Sequence, residues 1–226
     1  SKTAAVIGFG SGITAAIMLD SPAVERMDVV EIEPAMVEGA RLFHPRNNKV
    51  YNDARSHIYY DDAKAFFSTY QRQYDLIISE PSNPWVSGVS GLFSKEFYQM
   101  TAKHLTQDGL FVQWLNTYEM NMDLIVTVLK AVNEVFPYYA MYSTSNTDII
   151  LIAKSNAPVG TPVDTLFKTQ AINQSLKTIG VESVDDLKLR RVATEQLLRP
   201  YSKLFATPAN SDYYPYLDLN AVKARF

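Results

Sequence analysis

The sequence predicts an α/β protein built on a doubly wound, mostly parallel, seven-stranded sheet that ends in an antiparallel hairpin. Three observations carry that prediction. Short apolar runs alternate with amphipathic helical patterns as far as residue 154, which implies parallel strands, right-handed crossovers and helices on both faces. The last two runs, YYAMYS (138–143) and DIILIAK (148–154), are separated only by TSNT; four residues cannot hold a crossover helix, so this pair is an antiparallel hairpin. A glycine turn, VIGFGSG (6–12), stands where the first strand meets the first helix.

In chain order, AAVIG (4–8) is the first strand, followed by helical GITAAIMLD. MDVVEI (27–32) precedes PAMVEGARLF, whose Pro34 suits a first helical turn. SHIYY (56–60) precedes DDAKAFFSTY, and YDLIIS (74–79) precedes a Pro/Gly-punctuated segment and then SKEFYQMTAKHL. GLFVQWL (109–115) precedes NMDLIVTVLKAVNEVF. After Lys154 the composition changes: SNAPVGTPVD reads as a linker, three short helical patterns run to Leu198, and NSDYYPYLDL closes the chain. The division expected is a nucleoside-binding domain over 1–154 and a helical extension with a tail, 155–226, packed on it.

The chain has 226 residues, 47% hydrophobic and 20% charged, which is an ordinary globular composition. A net charge of −3 argues against nucleic acid or an anionic membrane surface as the main partner. No apolar run reaches the ~18 residues that span a bilayer. With no cysteine, disulfides and thiolate metal sites are excluded. His44, His57 and His104 share no metal-ligand spacing, so no metal is expected. A core strand almost from the first residue points to an excised domain of a longer protein.

The strand ends hold the candidate chemistry. Gly8, Gly10 and Gly12 let backbone N–H groups approach a ligand, although GxGxG is not the dinucleotide spacing GxGxxG; Ile13 stands where the last glycine would be. Glu31 closes the second strand, where a carboxylate accepts both hydroxyls of a ribose. Asp62 follows the third strand, placed to accept from an adenine amino group. Either acid alone could instead cap a helix. Together, at successive strand ends of an open sheet, they describe a nucleoside site. Glu80 ends the fourth strand; Pro81, Pro84, Trp85, Gly88 and Gly91 follow as an apolar lid able to exclude water.

In order and spacing, VIGFGSG, VVEIEP, YYDDAKAFF, YDLIISEPSNPW with GLFSKEFY, and GLFVQW resemble the spermidine synthase family over residues 3–154. The resemblance implies the Rossmann-like fold of class I S-adenosylmethionine-dependent methyltransferases. It implies a transferase of polyamine biosynthesis whose co-substrate is S-adenosylmethionine or its decarboxylated form, with no metal. By the same resemblance Glu31 holds the ribose, Asp62 with Ala63 the adenine, and Gly8, Gly10, Ser11 and Gly12 the donor's tail. Glu80 is the catalytic acid or base beside the sulfonium. Asn83, Trp85, Gln113 and Asp212 are candidates for the acceptor, a small amine. Family members self-associate, so a homodimer is an expected partner state. The resemblance is compatible with a cytoplasmic protein or the soluble domain of a membrane-anchored one.

The chain departs from that family where charge is concerned. Ser11 replaces the loop aspartate that binds the donor's amine, and EPSNP replaces a D-S-S-D-P pattern, leaving Glu80 and the neutral Asn83. Fewer acids weaken the case for a polycationic acceptor, whose lost hydration needs several carboxylates to offset it. Ser11 also removes a repulsion against the carboxylate of the ordinary methyl donor. Three functions stay open on the sequence: alkyl transfer of the aminopropyl type, methyl transfer on the same scaffold, and nucleoside binding without turnover.

Overall fold

The computed structural model describes residues 1–83, 86, 88–118 and 120–221. Its strands are β1 (Lys2–Ile7), β2 (Val24–Glu31), β3 (Ser56–Tyr60), β4 (Tyr74–Ser79), β5 (Leu105–Asn116), β6 (Tyr138–Ser143), β7 (Asp148–Lys154) and β8 (Arg191–Thr194). Its helices are α1 (Ile13–Met18), α2 (Pro34–Gly39), α3 (Asn48–Asn52), α4 (Ala63–Thr69), α5 (Lys95–Lys103), α6 (Met122–Val135), α7 (Gln170–Thr178), α8 (Val184–Leu189), α9 (Glu195–Ser202) and α10 (Tyr216–Ala221).

Among the described residues the strands form one sheet in the order β3-β2-β1-β4-β5-β7-β6-β8. β3, β2, β1, β4 and β5 run parallel. β7 is antiparallel to both β5 and β6, so the expected hairpin closes the sheet. The strand count differs from expectation: the sheet has eight strands, not seven. Arg191–Thr194, within a stretch that reads as helical, pairs antiparallel with Ala140–Tyr142 of β6. Four residues carry too little periodicity to announce a strand; the open edge of β6 supplies the hydrogen-bonding partner.

Alternate strand residues bury into two cores. Phe66, Phe67, Phe97, Tyr98, Leu129 and Phe136 from α4, α5 and the α6 region cover one face of the sheet. Ala15, Val37 and Val50 from α1, α2 and α3 cover the other against Val6, Met27 and Val29. The interior also holds charge: Asp28 of β2 is fully buried, accepts from Tyr74 Oη at 2.8 Å and pairs with Arg72 and Arg26. A buried carboxylate is tolerable only with such partners. No described helix is long and apolar enough to cross a membrane.

The closing segment is bound into the body through Asn210, which is 1% exposed. Its Nδ2 donates to Ser90 O, its Oδ1 accepts from Leu217 N, its backbone N–H donates to Thr127 O and its carbonyl accepts from Lys95 N, each at 3.0 Å. One residue thus joins the 3-10 turn Val89–Phe93 to α5, α6 and α10. Leu217 and Ala221 pack beside Phe93, Leu124 and Val128. Asn210→Leu keeps the volume but strands the Ser90 carbonyl and the Leu217 amide. Unfolding stability falls by about 2–5 kcal/mol, read as a lower denaturant midpoint at unchanged slope.

Candidate active site

The order β2-β1-β4 reverses chain direction of assembly at β1, and such a switch point opens a crevice at the carboxyl ends of the strands. There lies a cavity of about 370 Å³, lined among others by Gly8, Gly10, Glu31, Asp62, Ala63 and Glu80. Residues that the sequence placed at separate strand ends therefore meet around one space.

The glycine turn is shaped by the protein itself as much as by any ligand. Gly8 has φ +90°, and a Cβ there would stand 2.5 Å from the carbonyl oxygen of Glu80. The Glu80 N–H donates to Ile7 O at 2.8 Å, so β1 and the tip of β4 leave the sheet in contact. At Gly12, with φ +72°, a Cβ would meet the Phe9 ring at 2.8 Å and Val50 at 3.0 Å. Gly10, with φ +50°, faces open space. Of the four loop candidates, Gly8 and Gly10 line the cavity, whereas Gly12 packs inward against Phe9 and Val50. Ser11 Oγ accepts from Ile13 N at 3.4 Å, and its carbonyl accepts from the buried Asn47 amide at 2.8 Å.

The acids are held in different ways. Glu31 is buried, with Oε2 accepting from Phe9 N at 2.8 Å and Oε1 from Glu33 N at 2.9 Å. Each oxygen keeps a second lone pair for a ligand hydroxyl. Asp62 caps α4, taking Lys64 N at 2.9 Å and Ala65 N at 3.1 Å, both on Oδ1. The capping role and a ligand role are thus compatible, since Oδ2 lies outside both bonds. Glu80 Oε1 accepts from Thr14 Oγ1 at 3.0 Å. Burial pushes the Glu80 carboxyl above its ordinary range, and the Thr14 hydroxyl pulls back against that shift.

The expected acceptor residues are dispersed. Gln113 is buried below the site, its Oε1 accepting from Tyr98 Oη at 2.6 Å and its Nε2 donating to Leu92 O at 3.0 Å. Both ends of the amide are engaged, and Gln113 does not line the cavity; it lies within β5, which runs on to Asn116, and its amide holds the carbonyl of Leu92. Asp212 also lies off the cavity. Both its oxygens are 2.7 Å from Lys64 Nζ, and this pair stands against Gly91. Asn83 is half-buried, its carbonyl accepting from Val86 N at 2.9 Å. Trp85, like Pro84, lies outside the described residues.

The cavity also has walls that the sequence reading missed. Ile32, Met36 and Val86 line it while 70%, 45% and 44% exposed, beside Val89 and Leu92. Glu33 and Asp61 add two further carboxylates. Ile32 had a signal: an apolar residue between Glu31 and Glu33 at a strand end has no core face to fill. Apolar walls with a few polar groups suit a flat heterocycle.

Comparison with known proteins follows the same lines. Residues 1–153 match the family model described as the spermine/spermidine synthase domain. A polyamine aminopropyltransferase of Alkaliphilus oremlandii is 35% identical over 144 residues, covering 64% of this chain and 44% of that protein. Spermidine synthase from Thermotoga maritima superimposes with a TM-score of 0.65 at 18% identity, over 90% of this chain and 69% of that one. Human methyltransferase-like protein 13, solved in complex with SAH, gives 0.62 at 20% identity, over 78% of this chain and 82% of that one. The two structural likenesses are likenesses of fold. The chain spans about half the length of the curated relatives it matches, at 44% and 50% of the first two. This chain belongs to the spermine/spermidine synthase family.

The raised Glu80 carboxyl sets a stability prediction. Its folded pKa lies above the unfolded value, so ionisation favours unfolding. The penalty is absent in acid, below the unfolded pKa, and complete once pH passes the folded pKa. Glu80→Gln mimics the protonated acid and melts at a higher temperature than the parent at pH 8. The gap closes as pH falls toward 4, a pattern that thermal scans across pH will test.

Proposed function

We propose that this member of the spermine/spermidine synthase family is an aminopropyltransferase that takes decarboxylated S-adenosylmethionine as donor and a small amine as acceptor. The observation that carries the reading is the charge of the cavity. Its ionisable described residues are Glu31, Glu33, Asp61, Asp62 and Glu80, with no Lys, Arg or His among them. A negative, half-closed space favours a ligand with a sulfonium and an ammonium and no carboxylate. The ordinary methyl donor would bring its carboxylate into the same field. That electrostatic sum outweighs the loss of one acid at Ser11, the feature that favours methyl transfer. The names of the curated relatives support the same chemistry.

In this reading Glu31 accepts from the ribose hydroxyls. Asp62 and Ala63 meet the adenine edge, with Ile32 and Met36 against its faces. Gly8 and Gly10, with Ser11 and Gly12 shaping the turn, admit the donor's tail. Residues 1–154 form the nucleoside-binding domain and 155–226 an extension that braces it. Glu80 is the catalytic acid–base group at the mouth of the tail site. An alkyl ammonium of pKa about 10 must lose a proton before it attacks, at a cost of about 4 kcal/mol at pH 7. Glu80, made more basic by burial, receives that proton and holds the free amine in line. The amine nitrogen bonds to the carbon beside sulfur, the C–S bond breaks, and its electron pair stays on sulfur in methylthioadenosine. The loss of the sulfonium charge then loosens the product's hold on the acidic cavity.

Calorimetry and a product assay test this together. The decarboxylated donor is expected to bind at least about tenfold tighter than S-adenosylmethionine, and putrescine to yield a product heavier by one aminopropyl group. Glu31→Gln weakens donor binding by about 10–100-fold. Binding confined to the carboxylated donor would move the assignment to methyl transfer.

A further inference from the structure

We propose that Thr14 is a positioning residue for Glu80: its hydroxyl pins one carboxylate oxygen, Oε1, and leaves Oε2 as the oxygen that meets the acceptor amine. This deepens the aminopropyl-transfer reading and rests on it for the identity of the amine.

Thr14 is the second residue of α1, directly after the glycine turn. A helical threonine commonly returns its hydroxyl to a carbonyl of the preceding turn. Here Oγ1 instead donates to Glu80 Oε1 at 3.0 Å, across from the start of α1 to the tip of β4. Among the described residues it is the hydrogen-bond donor to the Glu80 side chain. The contrast with the neighbouring acids is sharp: Glu31 and Asp62 each take two backbone N–H bonds. Their orientation comes with the backbone, whereas that of Glu80 depends on one hydroxyl.

Burial makes the bond matter more. Glu80 shares the cavity with Glu31 from β2, Glu33 at the cap of α2, and Asp61 and Asp62 between β3 and α4. The glycine turn and α1 contribute no charge, and Gln113, which pairs with Ser79 where β4 meets β5, is neutral. Burial disfavours the carboxylate form that a base must have. The Thr14 hydroxyl is the opposing influence. It also ties the reacting acid to the turn that cradles the donor's tail, so the two partners of the reaction are registered through one bond.

The test uses Thr14→Val, which keeps the shape and removes the hydroxyl, and Thr14→Ser, which restores it. Carbon NMR of the glutamate carboxyls, with Glu80 assigned by its loss in Glu80→Gln, follows the titration without any substrate. The Glu80 midpoint is expected to rise by about one unit in Thr14→Val and to return in Thr14→Ser. With the decarboxylated donor and putrescine, the acid limb of kcat/KM moves by the same amount, kcat falls about tenfold, and donor affinity stays within about twofold. An unmoved NMR midpoint in Thr14→Val, or a shift that Thr14→Ser fails to reverse, overturns the proposal. A donor affinity that falls in step with kcat overturns it too, because the hydroxyl would then be serving the donor. If the parent protein turns over no putrescine, the aminopropyl reading fails, and the NMR titration still decides whether Thr14 governs Glu80.

Discussion

Five carboxylates, Glu31, Glu33, Asp61, Asp62 and Glu80, converge on one cavity whose described lining holds no cation. Acids gathered around a half-closed space call for hydrogen-bond donors close at hand. The fold meets this constraint with backbone donors first. Because parallel strands end at the same edge, each tip is followed by a turn whose N–H groups are unpaired, and Glu31 and Asp62 take them. Glu80, after a strand tip that leads into Pro81, has no such turn to draw on and relies on a side chain. The acid with the least backbone support is the one whose carboxyl burial displaces, and that same displacement suits it to proton transfer.

The closing segment answers a mechanical demand created by the cavity. One wall is the described part of the chain after β4, and a wall without regular strands needs bracing. Asn210 fixes the carbonyl of Ser90, while the Lys64–Asp212 pair ties the first turn of α4 to the same region. Ser211 and Asp212 are themselves held by Glu96 of α5, at 2.8 and 2.9 Å. The two sides of the cavity are thus linked through residues far along the chain. Asp212, which composition marks as an acid for an amine, is occupied with this structural work.

What could be read from the sequence follows from the range of the interactions involved. The strand tips and their acids were legible because alternation and apolar runs are local, and an acid ending a run needs no distant information. The helical pattern that starts at Ser94 was legible for the same reason, and in the fold the Ser94 hydroxyl caps α5, accepting from Phe97 N at 3.2 Å. Gln113 was not, because its partners Tyr98 and Leu92 become neighbours only after β5 joins β4. β8 required the free edge of β6, and the buried Asp28 required Arg72 and Tyr74, both more than forty residues on. The exposed Met36 and Val86 were invisible for another reason: hydrophobicity in a sequence signals burial, and only the surface reveals when it goes unburied.

The glycine turn shows why a motif and its meaning can separate. Read as a string, its glycines suggest three approaches of backbone to ligand. In the fold Gly8 is required because the carbonyl of Glu80 passes 2.5 Å from where a Cβ would be, and Gly12 because Phe9 and Val50 fill its side. Only at Gly10 is the space open. The turn is therefore first a device for bringing the tip of β4 onto the exit of β1. That contact places Glu80 next to the turn and within reach of Thr14, so the acid and the cradle form one unit. A substitution in either part of such a unit moves the other.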